Sequence, residues 1–191
     1  GAINQIWFLE NLTEGSKKTY EELKRFFDLV FSFILGIVIL PFIPLIALLI
    51  KIGSPGPVFY RQKRVGQNGK NFEIIKLRTM RRDAEKVTGA IWAKENDPRT
   101  TIFGKFLRKT RIDELPQLWN ILRGEMSFVG PRAERPEFLE NLKKEVPFYE
   151  ERYIIKPGLT GWAQINYRYG SSIADTAEKL QNDLYYIKNR S

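Results

Sequence analysis

The chemistry open to this chain is narrow, because its 191 residues include no histidine and no cysteine. Serine–histidine triads, Cys–His pairs, imidazole bases, disulfides and Cys/His zinc sites are excluded at once. Acid, base and nucleophile must come from Asp, Glu, Lys, Arg, Tyr, Ser or Thr. The best placed are Asp113 and Glu114, adjacent acids in FGKFLRKTRIDELPQLWNILRGEMSF, just downstream of Lys105, Arg108, Lys109 and Arg111. A carboxylate among such cations stays ionised and is the strongest nucleophile this composition offers. Two adjacent carboxylates also suit Mg²⁺ bridging to phosphate oxygens. An acid at a helix start is ordinarily a cap and its neighbour solvated; the cationic company argues for more.

Further candidates carry positive charge. Lys76 and Arg78 alternate with Ile75 and Leu77, so they share one face of a strand, where two cations suit phosphate oxygens. Arg132 follows Gly130-Pro131 at the end of a short strand, and an arginine presented on a turn is a good phosphate clamp. The stretch KPGLTGWAQINYRYG carries Trp162, Gln164, Tyr167 and Tyr169. Gly-rich aromatic loops can hold a planar base and also serve as ordinary anchors. Asp183, Tyr185 and Tyr186 lie on a helix expected over 175–188.

Positioning these groups requires a small mixed fold. A helix should begin near Asp113 as N-cap, with Pro116 tolerated in its first turn and Gly124 as its stop. Leu115, Leu118, Trp119 and Leu122 then bury one face. Strands at 58–60 and 72–77 read as a hairpin around Asn68-Gly69. A short helix is expected at 82–86, followed by loop, and an amphipathic helix over 136–149. The length is that of one domain rather than two.

The N-terminal quarter is different in kind. Leu29–Ile50 is 22 residues without a charge, roughly 33 Å as a straight helix, enough for a bilayer core of about 30 Å. Pro41 and Pro44 interrupt it, Gly36 loosens it, and both flanks are basic: Lys24 and Arg25 before, Lys51, Arg61, Lys63 and Arg64 after. These features leave two readings, a straight span and a re-entrant helix broken near Pro41. Residues 1–52 carry five basic and five acidic groups, so the remaining 139 hold the whole net charge of +9. Such a basic body calls for an anionic partner: phosphorylated small molecules, anionic headgroups or nucleic acid. The chain opens Gly-Ala rather than Met, which reads as a cut from a longer chain or a cloning scar.

Taken in order, FDLVFSFILGIVILPFIPLIALLIK, SPGPVFYRQKRVGQNGKNFEIIKLRTM, FGKFLRKTRIDELPQLWNILRGEMSFVGPRAE, KPGLTGWAQIN and DLYYIKNRS resemble the monotopic phosphoglycosyl transferases, the bacterial sugar transferase family. The likeness runs from about Lys24 to the end. It is closest to the polyprenyl-phosphate hexose-1-phosphate transferases of exopolysaccharide and O-antigen synthesis, which often carry an extra N-terminal membrane domain. The resemblance implies a mostly helical α/β (α+β) fold: an N-terminal segment over 1–23, a re-entrant membrane helix over 24–52 kinked at Pro41, and a compact catalytic domain over 53–191 with a small β-hairpin. That domain would sit on the cytoplasmic face of the bacterial inner membrane.

The reaction implied is transfer of a sugar 1-phosphate, with glucose or galactose as the expected sugar, from a UDP-sugar to undecaprenyl phosphate, releasing UMP. By the resemblance Asp113 is the nucleophile, forming a phosphosugar-aspartate. Glu114 positions or deprotonates the acceptor, and both acids serve Mg²⁺. Lys76, Arg78, Arg108, Arg132, Trp162 and Gln164 bind substrate. Membrane lipid is a partner, nucleic acid is not, and a homodimer fits the exposed apolar segment. The chain departs from the family at Leu40, where Ser is usual, at the additional Pro44, and in stopping at Ser191, where many members continue. The rival is a membrane-anchored basic module without chemistry, which leaves the Asp-Glu pair among arginines unexplained, because carboxylates oppose phosphate-backbone binding.

Overall fold

A computed structural model of the chain describes residues 14–82, 84, 97–167 and 173–190. The apolar run is helical from end to end. Helix α1 (Glu14–Ile39) passes through a single 3₁₀ turn (Leu40–Phe42) into α2 (Ile43–Gly53). Proline lacks the donor that an α-helix interior needs. The hydrogen-bond pattern accordingly tightens to 3₁₀ where Pro41 enters, and α2 begins again with Pro44 in its first turn. The stretch Lys18–Gly53 is long and apolar enough to cross a membrane. The helix also starts at Glu14, so part of the 1–23 segment is continuous with it.

One side of this helix is fastened to the body along most of its length. The Arg25 guanidinium donates to the Ile121 and Leu122 carbonyls (2.5 and 2.8 Å), which closes the C-terminal end of a short helix with positive charge. The Phe128 amide donates to Asp28 (3.1 Å), Lys24 meets Ser127, and Arg190 pairs with Glu21 (2.8 Å). Further on, Ile39 packs against the cluster of Ile74, Leu118, Ile121 and Met126, and Ile46 and Ile50 join Leu77 and Leu107. The other sides carry sixteen exposed large apolar residues between Leu23 and Ile52, far beyond what a water-facing surface carries without a partner.

The body is mostly helical with a small sheet. Strands β1 (Phe59–Val65) and β2 (Asn71–Leu77) pair antiparallel, with Tyr60 opposite Lys76. The turn needs left-handed backbone at Asn68 (φ 55°) and Gly69 (φ 72°), the residue types that accept it. The hairpin is thus where the sequence places it, with a longer first strand. Helix α3 (Ile102–Lys109) follows, its start capped by the Thr101 hydroxyl, which accepts from the Gly104 amide (3.0 Å). Next come a 3₁₀ helix (Ile112–Gln117), α4 (Leu118–Leu122), β3 (Ser127–Val129) and α5 (Pro136–Glu145). A second 3₁₀ helix (Tyr149–Ile154), β4 (Gly158–Thr160), α6 (Trp162–Asn166) and α7 (Ile173–Asn189) complete the described chain. The 82–86 helix falls largely outside the described residues, as does Tyr169.

Two expectations around the acidic pair are corrected. Asp113 is not the N-cap: Arg111 occupies that place in left-handed backbone (φ 60°), and both acids lie inside the first 3₁₀ turn. Trp119 is 55% exposed while Asn120 is fully buried. The cause is a change of period, since three residues per turn up to Gln117 shift the phase of the α-helix that follows. Asn120 stitches α4 to the free edge of β2, donating to the Glu73 carbonyl (2.7 Å) and accepting from the Ile75 amide (3.2 Å).

Candidate active site

Three segments converge on the acidic pair. The Ile112–Gln117 3₁₀ helix supplies Asp113 and Glu114, the end of β2 supplies Lys76, and the segment after β3 supplies Arg132. Glu114 Oε1 accepts from Lys76 Nζ at 2.7 Å and from Arg132 Nη2 at 2.9 Å, while Arg111 Nη1 stands 3.9 Å from Oε2. Both acids are buried, at 7% and 5% exposure. Asp113 Oδ1 is a buried oxygen with no hydrogen-bond partner among the described residues.

The pair is therefore electrically unequal. Burial alone would raise Glu114, but Arg132 and Lys76 outweigh it and hold the carboxyl well below the usual carboxylate range. Asp113 is pushed up, first by burial and then by the charge of Glu114, against the pull of Lys76, Arg108 and Arg111. The expectation that one cationic field keeps the pair ionised thus holds for Glu114 and is reversed for Asp113, where burial outweighs the cations. Lys76 is lowered to about 8 by burial and by Arg132, with Glu114 opposing.

A pH dependence of stability follows for Glu114. Its folded pKa lies below its unfolded value, so its contribution is present above about pH 4.5 and is lost as pH falls towards the folded value. Thermal melting of the wild type and of Glu114→Gln between pH 7 and 3 should show the wild-type advantage shrinking below about pH 4.5. A constant difference would break the assignment.

A cavity of about 330 Å³ adjoins Glu114 and is lined by Thr110, Arg111, Leu115, Leu159, Thr160 and Gln164, among others. Gln164 Nε2 is a buried donor without a partner among the described residues. Gln164, Glu114, Lys76 and Arg132 are thus brought together. Arg108 acts on Asp113 by charge while its Nε donates to Thr79 (2.8 Å). Arg78 is not brought to the pair: its guanidinium donates to the Pro55 carbonyl (3.1 Å) and to that of Ser54, bracing the loop before β1. Strand β2 ends at Leu77, so the face shared with Lys76 does not extend to it. Trp162 lies outside the cavity lining and stacks on Tyr185 at 6.0 Å between ring centroids.

The sequence reading placed Arg64 only in the basic flank that follows the apolar run. It instead donates to the Ala133 carbonyl (3.0 Å) and to Gln62 (2.7 Å), and burial lowers it to about 10. Its position in β1, alternating with the exposed Lys63, was the available signal. Among the described residues no three acids gather as a metal cluster. The free oxygen of Asp113 is compatible with an Mg²⁺ held by one carboxylate and phosphate oxygens, a common arrangement for that ion.

A family model described as bacterial sugar transferase matches residues 19–191. The chain is 44% identical over 172 residues to the UDP-N-acetylgalactosamine-undecaprenyl-phosphate N-acetylgalactosaminephosphotransferase of Aeromonas hydrophila, an alignment covering 90% of this chain and 40% of that protein. It is 50% identical over 139 residues, 72% of this chain and 77% of the relative, to a Bacillus subtilis (strain 168) protein named as a putative undecaprenyl-phosphate N-acetylgalactosaminyl 1-phosphate transferase. It is 43% identical over 174 residues to the UDP-glucose:undecaprenyl-phosphate glucose-1-phosphate transferase of Escherichia coli (strain K12), covering 88% of this chain and 37% of that protein. The chain thus spans well under half the length of the Aeromonas and Escherichia relatives.

Proposed function

We propose that this chain, which belongs to the bacterial sugar transferase family, is a phosphoglycosyl transferase moving a sugar 1-phosphate from a UDP-sugar to undecaprenyl phosphate with release of UMP. The observation that carries the reading is the Asp113-Glu114 pair among Lys76, Arg108, Arg111 and Arg132, with Glu114 on the wall of a cavity. The names of the relatives divide between N-acetylgalactosamine and glucose as the sugar.

In the mechanism, an Asp113 carboxylate oxygen attacks the sugar-proximal phosphorus. The new O–P bond replaces the bond to UMP, which departs with the electron pair and leaves a phosphosugar-aspartate. A phosphate oxygen of undecaprenyl phosphate then attacks the same phosphorus and frees the Asp113 carboxylate, giving the polyprenyl diphosphosugar. Lys76 and Arg132 supply fixed positive charge where charge shifts between phosphate oxygens. Glu114, held far below the usual range, is a weak base near neutral pH and acts by pinning those two cations. Mg²⁺ would be held by Asp113, the acid of the pair with a free oxygen, and would offset diphosphate charge.

The way the helix is fastened supports a re-entrant placement. Contacts from Glu21 to Ile50 join one body, over a helix length of roughly 40 Å. A helix crossing the bilayer would carry one end away from that body. Both ends on the cytoplasmic side, with the exposed apolar faces in lipid, satisfies the contacts and the basic flanks.

Inside-out membrane vesicles test both claims together. UDP-sugar and undecaprenyl phosphate added outside should release UMP, with UDP-N-acetylgalactosamine and UDP-glucose compared as donors. Single cysteines at positions 18 and 67 should both react with an impermeant reagent from outside. No UMP from any donor overturns the transferase and leaves the basic module. Labelling of only one cysteine overturns the re-entrant placement.

A further inference from the structure

Arg132 reaches Glu114 from a segment with no regular secondary structure, Gly130 to Arg135. An arginine on such a segment should wander, at a cost in conformational entropy whenever it is fixed. Four successive carbonyls show how wandering is prevented. That of Pro131 accepts from the Gly158 amide (2.9 Å), that of Arg132 from Arg152 Nη2 (3.0 Å), that of Ala133 from Arg64 Nη1 (3.0 Å), and that of Glu134 from the Val65 amide (2.9 Å). The Gly130 amide donates to the Thr160 carbonyl (2.9 Å), and a Cβ at Gly158 would lie 2.1 Å from the Gly130 nitrogen.

The tie at residue 132 itself is the unusual one. Arg152 is 6% exposed, and its Nη2 also stands 2.8 Å from Oδ2 of Asp183, which is 2% exposed. Its Nη1 donates to the Tyr149 hydroxyl, and its guanidinium carbon lies 5.0 Å from that ring's centroid. Burying such an ion pair gains little over apolar residues of the same volume. The surroundings (Val65, Leu142, Val146, Ile155, Leu180, Leu184 and Ile187) could be filled by hydrocarbon. What hydrocarbon lacks is a charged donor aimed at the Arg132 carbonyl.

We infer that Arg152, oriented by Asp183, is a positioning residue that fixes Arg132 against Glu114 and so helps assemble the cationic side of the active site from within the buried core. The inference rests on the transferase reading for its kinetic arm. Its chain of contacts runs from Asp183 on α7, through Arg152 on the second 3₁₀ helix and the Arg132 backbone, to Glu114. Arginine is required because its planar fork meets the Arg132 carbonyl and the Asp183 carboxylate at Nη2 while Nη1 holds the Tyr149 hydroxyl; a lysine ammonium can keep the ion pair without holding the carbonyl and the hydroxyl in that geometry.

The test separates positioning from mere packing. Arg152→Lys should retain most of the thermal stability while kcat for UMP release falls about 10- to 100-fold, with KM changed by less than about 3-fold. Arg152→Met should cost a similar factor in the wild type and less than about 2-fold in an Arg132→Met background, because the group it positions is gone. Asp183→Asn, which keeps the volume, repeats the comparison should Arg152→Met fail to fold. Additive losses, or an Arg152→Lys enzyme with wild-type kcat, overturn the proposal. An activity-independent arm measures coupling of the Arg152 and Arg132 substitutions in thermal melting. Coupling there without UMP release from the wild type sinks the transferase reading and keeps the positioning; absence of coupling in melting sinks the positioning.

Discussion

Asp113→Asn should lose at least about 10³-fold in UMP release and gain thermal stability. The kinetic loss follows from removing the only atom assigned to form a bond with phosphorus, and eliminations of a nucleophile are of that order or larger. The gain in stability follows from burial. Asp113 is pushed up by desolvation and by the neighbouring charge of Glu114, and its buried Oδ1 has no hydrogen-bond partner among the described residues. An acid whose folded pKa is raised weakens the fold where it is ionised, so deleting its charge near neutral pH should raise Tm. The two readouts must move in opposite directions. The covalent step adds a third: with UDP-sugar labelled in the sugar-proximal phosphate and no acceptor, the wild type should become labelled and Asp113→Asn should not. An Asp113→Asn protein that turns over at near wild-type rate, or an active wild type that never carries the label, removes Asp113 from the mechanism.

How much of this site could be read in the sequence depends on the range over which each residue's partners act. The position of Asp113 and Glu114 among cations and the hairpin bearing Lys76 were legible because neighbouring charge and turn chemistry are local: Arg108 and Arg111 stand next to the pair in the chain, and Asn68-Gly69 fixes the pairing that sets Lys76 opposite Tyr60. Arg78 misled because alternation along a strand says which face a side chain takes only while the strand lasts, and β2 ends at Leu77. Trp119 and Asn120 exchanged roles because a 3₁₀ turn inserted by the local sequence changes the period on which face assignments rest. As site-supporting groups, Arg64 offered only its alternation with Lys63 along β1, and Arg152 and Asp183 offered nothing. Their partners lie 69, 20 and 31 positions away, and only the tertiary fold makes a surface-type residue into a buried brace.

Lys76→Met should lower kcat/KM by about 10²–10³, and the same loss should not add to that of Arg132→Met. Both side chains bond the same oxygen, Glu114 Oε1, at 2.7 and 2.9 Å. Removing either leaves a buried carboxylate with half its compensation, a situation that costs about 3–5 kcal/mol when a buried pair is broken. Removing the second takes away a group already displaced, so the cycle should show an interaction of roughly 0.5–3 kcal/mol. The pH profile carries the sign. Lys76 is lowered to about 8, so its cation is present below that pH and fades above it. The wild-type kcat/KM should therefore decline on the alkaline side near pH 8. Arginine stays charged throughout, so in Lys76→Arg that decline should disappear while the plateau rate drops, since a planar fork cannot stand where a point charge meets Glu114. A Lys76→Arg profile that still falls near pH 8 would assign the titration to another group, and strictly additive losses at Lys76 and Arg132 would mean that Glu114 does not join them.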